Sequence, residues 1–187
     1  MSSPLLKQRP LTVEAYHLMG RAGFIEPDER VELLEGAIYE MPPIDPQHAS
    51  KVKGLNYYFI RALGDSYVIG VQDPIQLAND SEPQPDISVL RWRTDRYAHA
   101  HPTPDDVLLV VEVADSTVKS DRTYKIPLYA RAGIPEVWLV NIPGRRVEQH
   151  AEPMGGVYQT VRVWQPGETV QAHTLPELSL AVNDILG

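Results

Sequence analysis

The chain contains no cysteine among its 187 residues. That absence excludes disulfides, thiolate metal sites and cysteine nucleophiles. No apolar run approaches the length of a membrane span, and the opening Met-Ser-Ser-Pro-Leu-Leu-Lys-Gln-Arg-Pro lacks the apolar core of a secretory signal. A soluble, cytoplasmic protein with no membrane partner is the expectation. Basic residues are also short, 17 Lys and Arg against 25 Asp and Glu, for a net charge of −8. The chain as a whole therefore lacks the basic excess of a simple electrostatic nucleic-acid binder. Binding depends on local patches, and two basic clusters exist: Arg91, Arg93 and Arg96, diluted by Asp95, and Lys119, Arg122, Lys125 and Arg131. What is present in ordinary measure is apolar content, 43%, enough at this length for a core without covalent staples.

Residues 1–10 read as a flexible tail and 11–187 as a single domain. Thr12 before Val13-Glu14-Ala15-Tyr16 predicts a capped helix ending near Gly20–Gly23. Val31–Leu34 and Ala37–Met41, flanking Glu35-Gly36, predict a hairpin. Asp45 can cap a second helix with Pro46 at its first position, and Val52, Leu55, Phe59 and Ala62 mark its apolar stripe, His48 included. Strands are expected at Tyr67–Val71, Pro74–Leu77, Asp86–Leu90 and Val107–Val113, and a helix over Ser116–Ala132 stopped by Gly133 and bent at Pro127. Two hairpins should follow. One joins Glu136–Val140 to Arg145–His150 through a Pro-Gly turn of type II, the other joins Val157–Val163 to Glu168–Gln171. Leu175–Gly187 reads as a short terminal helix or coil. The order is mixed, which predicts an α/β (mixed α+β) fold with extra antiparallel hairpins.

The most informative stretch is Val107–Val113, Val-Leu-Leu-Val-Val-Glu-Val. A continuous apolar run of this length reads as a strand buried on both faces. Glu112 therefore lies in the core or at its mouth, where an ionised carboxylate is costly unless paired, hydrogen-bonded or bound to a metal. Pro85-Asp86 begins the preceding strand, with Asp86 and Ser88 on one face and Ile87 and Val89 on the other. Two neighbouring strands, each with a carboxylate, can converge on one hard divalent cation. Mg²⁺ takes one or two carboxylates and completes its shell with water and phosphate. In the helix after Glu112, the i,i+4 series Asp121, Lys125 and Tyr129 shares a face. That series reads either as an exposed ion pair or as a charge turned toward the metal.

These residues resemble a known family. Pro85-Asp86, Glu112-Val113 and the helix carrying Ser116-Thr117, Asp121, Lys125 and Tyr129-Ala130-Arg131-Ala132-Gly133 are similar to the Uma-type endonuclease family. That family belongs to the PD-(D/E)xK restriction-endonuclease-like superfamily. Val31-Glu32-Leu33-Leu34-Glu35-Gly36, Pro42-Pro43 with His48, and Pro135-Glu136-Val137-Trp138-Leu139-Val140 fit the same pattern. The resemblance implies a restriction-endonuclease-like central mixed sheet flanked by helices. It implies that Asp86 and Glu112 are metal-binding acids and that the Val113 carbonyl is a backbone ligand. The superfamily lysine normally stands two residues after the Glu, where this chain has Ala114. The resemblance therefore moves that role to Lys125 on the following helix.

By the same resemblance Glu32 is a third acid or an exposed hairpin residue, and His48 is a site residue or a satisfied histidine of the stripe. Asp121 reads as a holder of Lys125, Tyr129 as packing, and Glu136 and Trp138 as structural. Trp92 reads as a core-covering loop residue or a stacking residue. His99 and His101 are set aside, because a proline-rich loop offers no fixed geometry. The reading is a Mg²⁺-dependent endonuclease, with Mn²⁺ as a substitute, hydrolysing DNA phosphodiester bonds. A homodimer is expected by analogy alone. Two alternatives stay open: a non-catalytic nucleic-acid-binding or protein-interaction module on the same scaffold, and a nuclease acting on RNA.

Overall fold

The structure, a computed structural model, describes residues 9–187, so the tail expected over residues 1–10 lies mostly outside the described residues. Its centre is a mixed sheet of six strands: β3 (Tyr67–Val71), β4 (Ile87–Arg91), β5 (Val107–Ala114), β6 (Glu136–Asn141), β7 (Arg146–Met154) and β8 (Val157–Trp164), side by side in that order. All neighbours run antiparallel except β5 and β6. A parallel pair needs a crossover, and residues 118–132 supply it as a helix. β5 is buried along both faces, as its apolar run predicts. Leu109, Val111 and Val113 face a cluster built with Val52, Leu55, Phe59 and Leu63 of α2 (Pro46–Leu63). Val110 and Ala114 face the opposite cluster, built with Ile126, Leu128, Tyr129 and Ile134. Strand alternation puts Glu112 on that second face, under the crossover helix.

The helices start where the sequence says they should. Thr12 accepts a hydrogen bond from the Ala15 N–H at 3.1 Å and opens α1 (Val13–Arg21). Asp45 accepts from the Gln47 and His48 N–H groups at 2.7 and 3.0 Å and opens α2. The buried stripe of α2 ends on Leu63, and Ala62 is exposed. The crossover contains α3 (Val118–Ser120), a π-helical turn over Asp121–Lys125 and α4 (Ile126–Ala132). Pro127, the second residue of α4, has no N–H and would press on a carbonyl one α-turn back. The wider turn just before it relieves that clash.

Some expectations fail locally. Residues 74–77 form no strand. Ile75 and Leu77 are buried, but their N–H groups bond to Pro83 and Ser81 carbonyls at 3.0 and 2.9 Å in a folded-back loop. The hairpin of β1 (Val31–Leu34) and β2 (Ala37–Glu40) stands outside the main sheet and is tied to that loop by Glu82 N–H to Leu33 O at 2.7 Å. β9 (Thr169–Gln171) pairs with β10 (Ser179–Ala181), not with β8, and a short α5 (Val182–Leu186) follows. At the β6–β7 turn Gly144 keeps a negative φ, and Arg145 takes the left-handed conformation at φ 46°, so this turn is not type II. Glycine is needed there for space, since a Cβ would meet the Asn141 side chain at 2.7 Å.

Glu148 of β7 collects side-chain donors from Arg122, Arg146 and Asn141. Against the opposing effect of burial, they hold its carboxyl down at about 2. A depressed acid stabilises the fold above the ordinary carboxylate value and loses that contribution as pH falls through the folded value. Glu148→Gln should therefore cost roughly 3 kcal/mol in urea unfolding at neutral pH. The gap to wild type should close between 4.5 and about 2, and a gap that stays constant there would contradict this account.

Candidate active site at the end of strand β5

β4 stops pairing with β5 at Ile87–Val111, whereas β5 continues against β6 as far as Ala114–Asn141. The last residues of β5 therefore have an open edge on the β4 side. Asp86, immediately before β4, fills part of it: its Oδ2 accepts the Val113 N–H at 2.9 Å. A strand residue's N–H and C=O point to the same side, so the Val113 carbonyl faces this same gap. Asp86 is held from two further directions, by His48 Nε2 at 3.0 Å and by Gln72 Nε2, which donates to Oδ1 at 3.2 Å. Gln72 has a left-handed φ of 56°, a conformation no sequence pattern announces, and its role was not anticipated.

Glu112 is 4% exposed. Its Oε1 accepts the Tyr129 hydroxyl at 2.6 Å and lies 3.3 Å from Lys125 Nζ. The same amine lies 3.0 Å from Glu32 Oε2, which also accepts the Gln84 N–H at 3.2 Å. Lys125 thus points inward, with its side chain 11% exposed. Glu32, read as either a site acid or an exposed hairpin residue, is buried and bonded to it. The π-helical turn carries both Asp121 and Lys125 to the buried side of the crossover.

Asp86, Glu112, Val113, Lys125, Glu32 and His48 all line one pocket of about 210 Å³, together with Asp121. Burial pushes the Glu112 carboxyl up to about 8, with Lys125 pulling it down and Asp121, Asp86 and Glu32 adding to the rise. Burial likewise raises Asp121, again against Lys125. For Lys125 burial alone would lower the pKa, but Glu112, Glu32 and Asp121 outweigh it and hold the ammonium above its ordinary value. The hydrogen bond to Asp86 raises His48, against partial burial. Seven acidic residues line the pocket, Glu32, Glu40, Asp45, Asp86, Glu112, Asp115 and Asp121, against the two permanent cations Arg30 and Lys125, an acidic excess that suits a divalent ion. The oxygens that could hold one are those of Asp86, Glu112 and the Val113 carbonyl, a hard set of the kind Mg²⁺ takes. The residues present fit such an ion.

A family model described as "Uma2: Putative restriction endonuclease" matches residues 13–183. The chain belongs to this family. No curated protein sequence matches it. Among solved structures, "a putative nuclease belonging to DUF820" from Anabaena variabilis superposes with a TM-score of 0.74 at 18% identity, covering 95% of this chain and 98% of that one. At that identity the likeness concerns the fold. The mixed sheet with flanking helices and antiparallel hairpins is that of this Uma2-family fold, as the resemblance in the sequence implied.

The other Uma2-motif residues divide cleanly. Tyr129 packs beneath the pocket, fully buried, and holds Glu112. Glu136 is structural: its carboxylate accepts from Trp138, Gln149, His173 and Thr174. The second basic cluster is dispersed, with Arg122 on Glu148, Arg131 on Glu35 and Lys125 in the pocket. Trp92 is exposed beneath the Arg96 guanidinium, 5.8 Å from the ring centroid, and does not cover the core. His101, set aside on sequence grounds, meets His17 and Glu82. No helix among the described residues is long and apolar enough to cross a membrane.

An acid raised by folding stabilises the fold below its ordinary value of 4.5 and loses that contribution as pH rises through about 8. In buffer stripped of divalent cations, wild type should weaken relative to Glu112→Gln as pH rises from 4.5 to about 8 and level off above that. Urea titrations at each pH measure this, and a flat difference would rule it out.

Proposed function

We propose that this chain is a Mg²⁺-dependent endonuclease that hydrolyses DNA phosphodiester bonds, with Mn²⁺ able to substitute. One observation carries the reading. The Lys125 amine stands 3.3 Å from Glu112 in the pocket that also holds Asp86 and Val113, although Ala114 occupies the usual lysine position. In this reading Asp86, Glu112 and the Val113 carbonyl hold the cation. When bound, the cation lowers the pKa of water and offsets charge on the phosphate.

The chain's own groups do the rest. Lys125 remains protonated among its carboxylates, so it acts as a fixed positive charge, not as a base. It orients the attacking water and stabilises the phosphate oxygens as charge develops on them. Water attacks phosphorus as the opposite P–O ester bond breaks; the proton lost by the water passes to bulk solvent, and the leaving oxygen takes up a proton from solvent. Glu32 positions the Lys125 amine, and His48 positions the Asp86 carboxylate. Cytoplasmic location and a homodimer are part of the proposal. The dimer is supported by edge strand β8, which presents Val157, Val161 and Val163, each about half exposed. A second reading, a non-catalytic binding or interaction module, is favoured by the net charge of −8.

Supercoiled DNA, linear duplex, single-stranded DNA and RNA incubated with Mg²⁺ or Mn²⁺ separate these readings. Nicking of DNA should fall by roughly 10³-fold or more in Asp86→Asn and Glu112→Gln, and by roughly 10²–10³-fold in Lys125→Met, with circular dichroism unchanged. Cleavage confined to RNA would replace the substrate. A wild-type protein inert toward all four with both ions would leave the binding module.

A further inference from the structure

Away from the acidic pocket, three side chains that share no residue with it converge. His17 projects from α1, Glu82 from the loop bridged to β1, and His101 from the connection between β4 and β5. One ligand atom from each lies within 4.8 Å of the others. His17 Nε2 is 2.7 Å from Glu82 Oε1, and the His17 and His101 rings meet edge-on at 6.0 Å. We propose that His17, Glu82 and His101 form a binding site for a Zn²⁺-class divalent cation, distinct from the acidic pocket.

Three observations support it. The first is the donor set. Two imidazole nitrogens and one carboxylate suit a borderline ion such as Zn²⁺, whereas Mg²⁺ prefers oxygen alone. The second is an unmet need. Glu82 is 3% exposed, and its Oε2 is shielded from water with no hydrogen-bond partner among the described residues. A simple His17–Glu82 hydrogen bond satisfies only Oε1 and leaves that oxygen stranded, at a cost buried polar atoms rarely bear. A cation held by the carboxylate uses it.

The third is rigidity. Val13 N–H bonds to Asn79 O at 2.8 Å, Glu82 N–H to Leu33 O at 2.7 Å and Gln76 N–H to Pro102 O at 2.9 Å. All three ligand-bearing segments are thereby pinned within one or a few residues of the ligand. A tetrahedral ion with bonds of about 2.0–2.1 Å sets its ligands about 3.3 Å apart. The site reaches this by a slight opening of the His17–Glu82 contact and an inward turn of exposed His101. Three protein ligands leave a fourth position, which opens on a depression lined by Tyr16, Gly20, Arg21 and Ile25, so water or a small anion completes the shell.

The test uses the full chain carrying Glu112→Gln, which removes a ligand of the acidic pocket. Zn²⁺ is followed by chelator competition and by thermal melting, and Co²⁺ by its visible ligand-field absorption. One equivalent should bind, raise Tm and give an imidazole-ligated Co²⁺ spectrum. Adding His101→Ala, at an exposed position where folding is unaffected, should weaken binding by roughly 10–100-fold or more and abolish the Tm shift. Glu82→Gln should do the same. Absence of binding, or equal affinity with and without His101, would overturn the proposal.

Discussion

The ammonium of Lys125, buried between Glu32 and Glu112, is the contact on which the candidate site depends. An isolated lysine charge in the interior is prohibitively costly, and so is an isolated carboxylate. Together they are tolerable only where strand β5, hairpin β1–β2 and the crossover helix meet. Each of those elements contributes one member, so the ion pairs also fix how the three pack. Asp86 joins them because β4 begins only at Ile87, opposite Val111 and two residues short of Val113, which leaves a backbone N–H for a side chain to take.

Two buried glutamates show what separates support from chemistry. Glu136 is surrounded by N–H and O–H donors from Trp138, Gln149, His173 and Thr174, and every lone pair it offers is matched by the fold. Glu112 receives one hydroxyl and shares one ammonium, while six further acids line the same pocket. A protein selected for stability alone has no use for that excess of negative charge. The excess makes sense as an ion-binding arrangement, and its position at an open strand end gives a phosphate access to it. The His17–Glu82–His101 group has a different character, richer in nitrogen and lower in charge, so the two sites would select different ions.

Much of this was legible in the chain. The apolar run before Glu112 identified the central strand, because a strand buried on both faces has little room for polar residues. Asp45-Pro46 and Thr12 marked helix starts, because capping is a local geometry set within three residues. The motif residues Asp86, Glu112 and Lys125 could be named, and all three reach the pocket. Local pattern could not supply pairing. The segment at Thr169–Gln171 reads as a partner for β8, and the fold gives it to β10 instead, since hydrogen-bond partners far apart in sequence leave no periodic trace.

The sequence by itself therefore determined the fold class, the central strand and which acids and lysine carry the family pattern, because burial and capping impose short-range rules on residue type. Only the tertiary structure decided which way Lys125 points, that Glu32 is buried beside it, that Gln72 reaches Asp86, and that His101 finds His17 and Glu82. Those facts depend on side chains from separate segments arriving within hydrogen-bond range, and that is a property of packing.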